Sequence, residues 1–429
     1  MINILVNEWK GFFRNKLFIF LSLFFLISLC GVTLFGIIQN EKQVETQKIA
    51  KEHIRKQWDE MEPSNPHSAA HFGSYAFKST SILNSIDEGI NSVTGNVLRL
   101  EGHKQNDVVF SEASQSLLIS KFGKLKPALI FQFIIPLFLI FFAFNSYTSE
   151  RSNGRLKLLL IQGASLRKIV FSKVFSIWVI GIILLITSII VQFIFNSTQL
   201  SSDTLLRLML LFSTYAIYFF IIVNLTVLLS VVFKNSTAAL SITILIWVVW
   251  TIFLPSIIGK TAEEINPLPT RIDFKESMAD DRSKGIDGHN PRGDRRQALE
   301  KATLEQYNVD KLVDLPINFS GILMQADEEY GNKVWDKHFG SLYNQLKAQK
   351  YIYQISGVVN PFISLQNLSM GLSGTDMYHH LDFLAQAEKY RRVFIKSLND
   401  EYAFGGSKTG QRGWKASNDF FRSVKEFHY

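Results

Sequence analysis

Residues 170–195 read VFSKVFSIWVIGIILLITSIIVQFIF. A helix needs about 20 consecutive apolar residues to cross the hydrocarbon core of a bilayer, and this run is longer than that. Four further windows, at 17–38, 127–147, 206–233 and 238–258, meet the same length. The whole chain has 429 residues, of which 47% are apolar and 13% aromatic, and its mean hydropathy is +0.12. Such a composition is too apolar for an ordinary soluble protein of this size. Two long stretches, 40–125 and 259–429, are polar and mixed in the globular proportion. The sequence therefore predicts an all-α integral membrane protein with five transmembrane helices and two large water-facing segments.

Lys10, Arg14 and Lys16 precede the first apolar run, but the run exceeds the 7–15-residue core of a cleaved signal and no small-residue cleavage site follows. It reads as a retained span over 17–38. Cys30 is the single cysteine and lies inside it, so no intramolecular disulfide forms. Short loops rich in Lys and Arg face the cytoplasm. The N-terminal segment is basic, and the 148–169 loop carries Arg151, Arg155, Lys157, Arg167 and Lys168. The 196–204 loop has no basic residue, and the turn after the fourth span holds Lys234. Both long segments then fall on the outer, extracytoplasmic side of the membrane. The net charge of +8 follows partly from this bias and gives no ground for a nucleic-acid partner.

The 150–173 stretch, ERSNGRLKLLLIQGASLRKIVFSK, follows the second span. Leu156, Leu159 and Leu160 form an apolar stripe at helical spacing, which predicts a short amphipathic helix along the membrane face. Ser165 is placed to cap the helix that becomes the third span. A short helix held between two spans is a lever through which a cytoplasmic motor can push. The stretch resembles the signature of ABC-2 type transporter permeases at Glu150, Arg151, Gly154, Leu156, Leu159, Ser165 and Arg167, with Gly163 where a proline is usual. That resemblance implies a coupling element and a separate ABC ATPase subunit carrying ATP and Mg, with no cofactor on this chain. It also implies work as a homodimer or a heterodimer, since one subunit of five or six spans encloses no pathway.

Residues 1–16 support the same likeness. Ile4, Leu5, Trp9, Phe12 and Phe13 make an apolar face opposite Glu8, Lys10 and Arg14, as an interfacial helix in contact with membrane lipid requires. ABC-2 permeases resemble this in opening with an elbow helix. The water-facing segments resemble an uncharacterised branch of these permeases with large insertions after the first and fifth spans. The likeness is carried by Pro66–Gly73, Leu315–Gly321, Gly374–Asp376 and Phe383–Arg391. In that branch a sixth span follows a Phe-x-Tyr like that of Phe427 and Tyr429, so a truncated chain is the expected reason for the odd span count. Segments 41–58 and 297–312 are predicted helical, and Pro and Gly place loops at 62–73 and 285–293.

Catalytic signatures are few. Gly259, Lys260 and Thr261 mimic the end of a phosphate-binding loop, but Leu254 stands where its first glycine belongs, and no zinc-protease or serine-hydrolase motif occurs. The chain is therefore expected to be no enzyme. His67 and His71 are four apart, so on a helix both imidazoles reach one metal ion, with His103 or a carboxylate as third ligand. Pro66 and Gly73 bracket the pair without fixing a helix, and no metal is assigned from sequence. Gln132, Asn145, Gln192, Asn224, Thr226 and Ser230 are the polar groups in the spans, expected to serve interhelical hydrogen bonds. Two functions follow. One is an exporting permease with an apolar or amphipathic cargo; the other is a non-transporting mechanotransmitter or receptor whose external domain binds a ligand or protein.

Overall fold

The computed structural model describes residues 2–106, 124–196 and 201–429. Parts of two sequence-defined segments, 107–123 of the first water-facing segment and 197–200 of the 196–204 loop, lie outside the described residues.

Helix α1 (Ile2–Arg14) lies against the bundle and ends at Asn15, whose side-chain oxygen accepts from Leu17 N–H and caps α2 (Lys16–Asp59). The first span is the start of α2, but the helix does not stop where the apolar run stops at Gln39. It continues unbroken for 44 residues, because Glu, Lys, Gln and Arg after position 40 are good helix formers. The second span is α4 (Pro127–Ser152), the third α6 (Leu166–Asn196), the fourth α7 (Ser202–Val232) and the fifth α8 (Ser236–Ile265). Between α2 and α4 comes α3 (Pro66–Phe72), and between α4 and α6 comes α5 (Arg155–Ile161). Among the described residues, five helices are thus long and apolar enough to cross a membrane, and the chain is a multi-pass membrane protein.

Two of the spans contain a π-helical turn, Ile130–Ile134 and Val249–Phe253, and each ends two residues before a proline, Pro136 or Pro255. Proline lacks the N–H that would continue the ladder and its ring crowds the preceding turn, so the helix widens there. In α8 the Leu254 N–H bonds Val249 O, which leaves Trp250 O facing a proline nitrogen. The side chain of Asn360 donates to that carbonyl at 2.9 Å. Because no water enters hydrocarbon, a freed carbonyl needs such a partner.

Not every polar group in the spans bridges helices as expected. Gln132 donates to Tyr215 Oη at 3.2 Å, Gln192 to Ser85 Oγ at 2.8 Å, and Ser230 accepts from the neighbouring loop. Asn224 and Thr226 instead bond their own helix at Phe220 O and Ile222 O; a side chain this close to the preceding turn satisfies itself locally.

The water-facing segments are helical with one small hairpin. Strand β1 (Ser74–Phe77) pairs antiparallel with β2 (Val97–Leu100), Ser74 opposite Leu100. After the spans come α9 (Arg271–Lys284), α10 (Arg292–Tyr307), α11 (Phe319–Ser356), α12 (Pro361–Ser373), α13 (Met377–Phe404) and α14 (Asn418–Ser423). The loop expected at 62–73 is in part helix α3. Asn65 caps it, Pro66 occupies its first turn where no N–H is needed, and Gly73 with φ +73° stops it. The two segments share one core, in which Trp58 of α2 packs against Phe394 of α13 and Phe421 of α14. Helix α2 therefore joins the membrane bundle to the soluble core.

Candidate functional site: the elbow and the 150–168 loop

The loop after α4 is fastened at several points. Backbone N–H groups of Tyr147 and Thr148 both donate to Ser230 Oγ at 3.2 Å. Arg151 donates to Val231 O at 2.5 Å and to Phe233 O at 3.5 Å, satisfying carbonyls at the end of α7 that have no helical partner. Its guanidinium also lies over the Tyr147 ring.

Gly154 and Gly163 bracket α5 with φ of +73° and +83°. That left-handed conformation is open to glycine, and proline with its φ near −65° cannot adopt it. Gly163 is thus what this turn requires.

The apolar stripe of α5 divides. Leu156 is buried with Tyr147 and Ile169, and Leu159 packs against the same group. Leu160 does not join them and is exposed along with Leu158 and Ile161, so α5 shows a second apolar face outward. Ser165 caps α6 as expected, its Oγ accepting from Lys168 N–H at 3.4 Å. Arg167 is exposed, as are Arg155, Lys157 and Lys168.

At the centre lies a residue the sequence did not single out. Lys173, two turns inside α6 and 2% exposed, donates to Glu8 of α1 at 2.7 Å and pairs with Glu150 at 2.9 Å. Glu150 is largely buried, because the Lys173 ammonium inside the apolar run draws it in. Its second oxygen has no hydrogen-bond partner among the described residues. One cation thus holds two carboxylates from different elements. A charge in an apolar run was the available signal, since such a residue needs a partner. Trp9 packs on Phe12 and Phe13 of the elbow, while Lys10 and Arg14 are exposed. A cleft of about 470 Å³ opens between α1 and α5 beside Glu8, Glu150, Leu158 and Lys173.

Gly259, Lys260 and Thr261 sit within continuous helix α8, where backbone N–H groups are committed to the helix ladder.

A second polar cluster lies in the soluble core. Helix α3 brings the His67 and His71 Nε2 atoms to 3.2 Å, and the turn after β2 adds His103. Burial and the neighbouring His103 and His71 rings lower the His67 pKa. Beneath them Arg391, 1% exposed, reaches Glu388 at 2.7 Å, Glu328 at 3.0 Å and Asn332 at 2.7 Å. Burial alone would raise the Glu328 carboxyl, but hydrogen bonds and charge from His103 and Arg391 hold it below the usual range.

Comparison with known families places these features. The family described as ABC-2 family transporter protein matches residues 2–304, and a domain of unknown function, DUF3526, matches residues 271–429. No curated relative and no solved structure matches the chain. The first match spans the elbow, all five membrane helices and the 150–168 loop: the chain belongs to the ABC-2 transporter family and is a membrane permease of that family.

Proposed function

We propose that this chain is the transmembrane subunit of an ABC exporter, driven by a separate ATPase subunit that binds ATP and Mg and docks on the α1 and α5 face. The observation that carries this reading is the Lys173 knot. A push on α5 moves Glu150, and a push on α1 moves Glu8; both carboxylates hold one ammonium on the third span. Leu158, Leu160 and Ile161 give the docking face an apolar centre, and Arg155, Lys157, Arg167 and Lys168 a basic rim. The basic loops support a cytoplasmic position for this face and an extracytoplasmic one for the soluble core, in a bacterial inner membrane. Two copies, identical or related, would enclose the pathway, and the nearly uncharged spans suit an apolar or amphipathic cargo.

A second reading, mechanotransmission without cargo, is favoured by α2. One unbroken helix runs from the membrane to Trp58 in the soluble core, so a movement of the bundle is passed outward mechanically. Reconstitution with a candidate ABC ATPase subunit tests both. Co-purification and ATP turnover stimulated by the permease are expected, and turnover by the permease alone would overturn the proposal. Vesicle uptake of labelled lipid or peptide separates export from mechanotransmission.

A further inference from the structure

We infer that His67, His71 and His103 form a binding site for one divalent transition-metal ion of the Zn²⁺ or Cu²⁺ class. Their ligating nitrogens all lie within 4.8 Å of one another. The three rings face each other with centroids 4.6, 5.2 and 5.2 Å apart. Two imidazole nitrogens bound to one tetrahedral ion at about 2.0–2.1 Å stand a little over 3 Å from each other, and the Nε2 atoms of His67 and His71 are 3.2 Å apart.

The third ring is held in place independently. His103 has a left-handed φ of +67°, uncommon for a residue with a side chain and a mark of local constraint. Its N–H donates to Glu328 Oε1, its ring Nδ1 lies 3.0 Å from the same oxygen, and its carbonyl accepts from Arg282 at 2.6 Å. A carboxylate on Nδ1 fixes the tautomer that leaves Nε2 free to ligate, the arrangement usual for metal-bound histidines. Glu328 is itself fixed by Arg391.

His71 is exposed and its two neighbours half-buried, so the fourth position opens to solvent and can take water or an incoming ligand. Three imidazoles suit Zn²⁺ and Cu²⁺ and disfavour Ca²⁺ and Mg²⁺, which prefer oxygen.

Titrating Zn²⁺ into the detergent-purified full chain, in competition with a chromogenic chelator, tests the site. One ion per chain is expected, with Mg²⁺ unable to compete. His71→Ala, an exposed change that leaves the fold intact, should remove binding, and Glu328→Gln should weaken it about 10- to 100-fold. X-ray absorption should give three nitrogen ligands at about 2.0–2.1 Å. Absence of binding by the parent chain at micromolar Zn²⁺, or retention of one ion by His71→Ala, would overturn the assignment.

A separate observation supports a second inference: the hairpin between α11 and α12 dips into the bilayer and its tip is covered by lipid acyl chains. Asn360, 0% exposed, bonds Trp250 O, and Trp250 lies eight residues inside the end of the apolar run at Ile258, a depth of about 12 Å along a helix. Phe362 packs against Phe133 and Tyr218, residues of the second and fourth spans. No charged residue occurs between Tyr351 and Ser373, yet Val358 and Val359 at the tip are 88% and 74% exposed. Irregular backbone at this depth is tolerated where protein neighbours satisfy it, as Asn360 and α8 do for each other. A nitroxide at position 358 (Val358→Cys, Cys30→Ser background) in nanodiscs should be relaxed by oxygen and not by a water-soluble nickel chelate. The reverse pattern would place the tip in water, and protection from both would place it under protein; either result overturns the inference.

Discussion

Two buried ion clusters, one at each end of the molecule, solve the same problem differently. Around Arg391, a guanidinium is bonded to Glu388, Glu328 and Asn332 and lies over the Trp335 ring. The pairing is strong enough that, against the effect of burial, Glu388 and Glu328 raise its pKa. Around Lys173, a single ammonium serves Glu8 and Glu150, and one Glu150 oxygen is left without a hydrogen-bond partner among the described residues beside an open cleft. A fully satisfied network rigidifies its surroundings, whereas a half-satisfied one has alternative arrangements close in energy. The first suits a scaffold under the histidine cluster, the second a joint that moves when a motor turns over.

The largest effect expected from this contrast is at Arg391. Arg391→Ala leaves Glu328 buried without its guanidinium partner and Glu388 with Arg392 alone, and breaking a buried pair on one side costs about 3–5 kcal/mol. Thermal unfolding should show a large loss of stability. Neutralising all three, as Arg391→Met with Glu328→Gln and Glu388→Gln, should recover part of it, since the uncompensated charge is the main penalty. A loss in the triple variant as large as in the single one would mean that shape, and not charge, holds this core.

His380 gives a pH-dependent counterpart in the same domain. Burial, with Lys78 adding, pushes its pKa down from 6.5 to about 4, so the folded protein keeps it neutral while the unfolded chain protonates. Stability from this group is complete above pH 6.5 and is lost as pH falls from 6.5 toward 4, by at most roughly 3 kcal/mol. His380→Leu should flatten that part of the stability profile. An unchanged slope would remove His380 as its source.

Smaller effects are expected at the loop. Leu159→Asp puts a carboxylate against Leu156 and Tyr147, where burial without a partner costs several kcal/mol, so α5 should lift from the bundle and stimulation of the ATPase should fall with insertion retained. Glu150→Ala should be milder, because Lys173 keeps Glu8 and a one-to-one pair remains. The order rests on that remaining pair and not on exposure of Glu150. Stimulated ATP turnover by both variants in nanodiscs checks it, and a more severe Glu150→Ala would show that Glu8 alone does not hold the joint.

The spans and the loop were legible because length and helical spacing are local properties. Residues 170–195 announce a span unaided, and Glu150 to Arg167 carry a motif whose capping and turns follow from residue type. What escaped depends on distance in sequence. Lys173 stands in the apolar run as a lone charge, and its partners come from positions 8 and 150, which spacing along the chain does not bring together. The dip of α11 and α12 was hidden by Gln354, Ser356 and Asn360, which interrupt the apolar pattern. Asn360 has meaning only beside the carbonyl that Pro255 leaves free. The pair His67 and His71 was visible at helical spacing, and of the third ligands the sequence offered, His103 or a carboxylate, the turn after β2 brings His103 to them.

The central claim, that the elbow and the 150–168 loop act on the third span through Lys173, is tested most directly by Lys173→Met in nanodiscs with the partner ATPase. The variant keeps an unbranched side chain one atom shorter and removes the ammonium that bonds Glu8 and Glu150. Assembly with the ATPase should persist while permease-stimulated turnover falls at least about tenfold, the equivalent of roughly 1.4 kcal/mol of lost coupling. Turnover stimulated to the parent level by a correctly inserted Lys173→Met chain would contradict it.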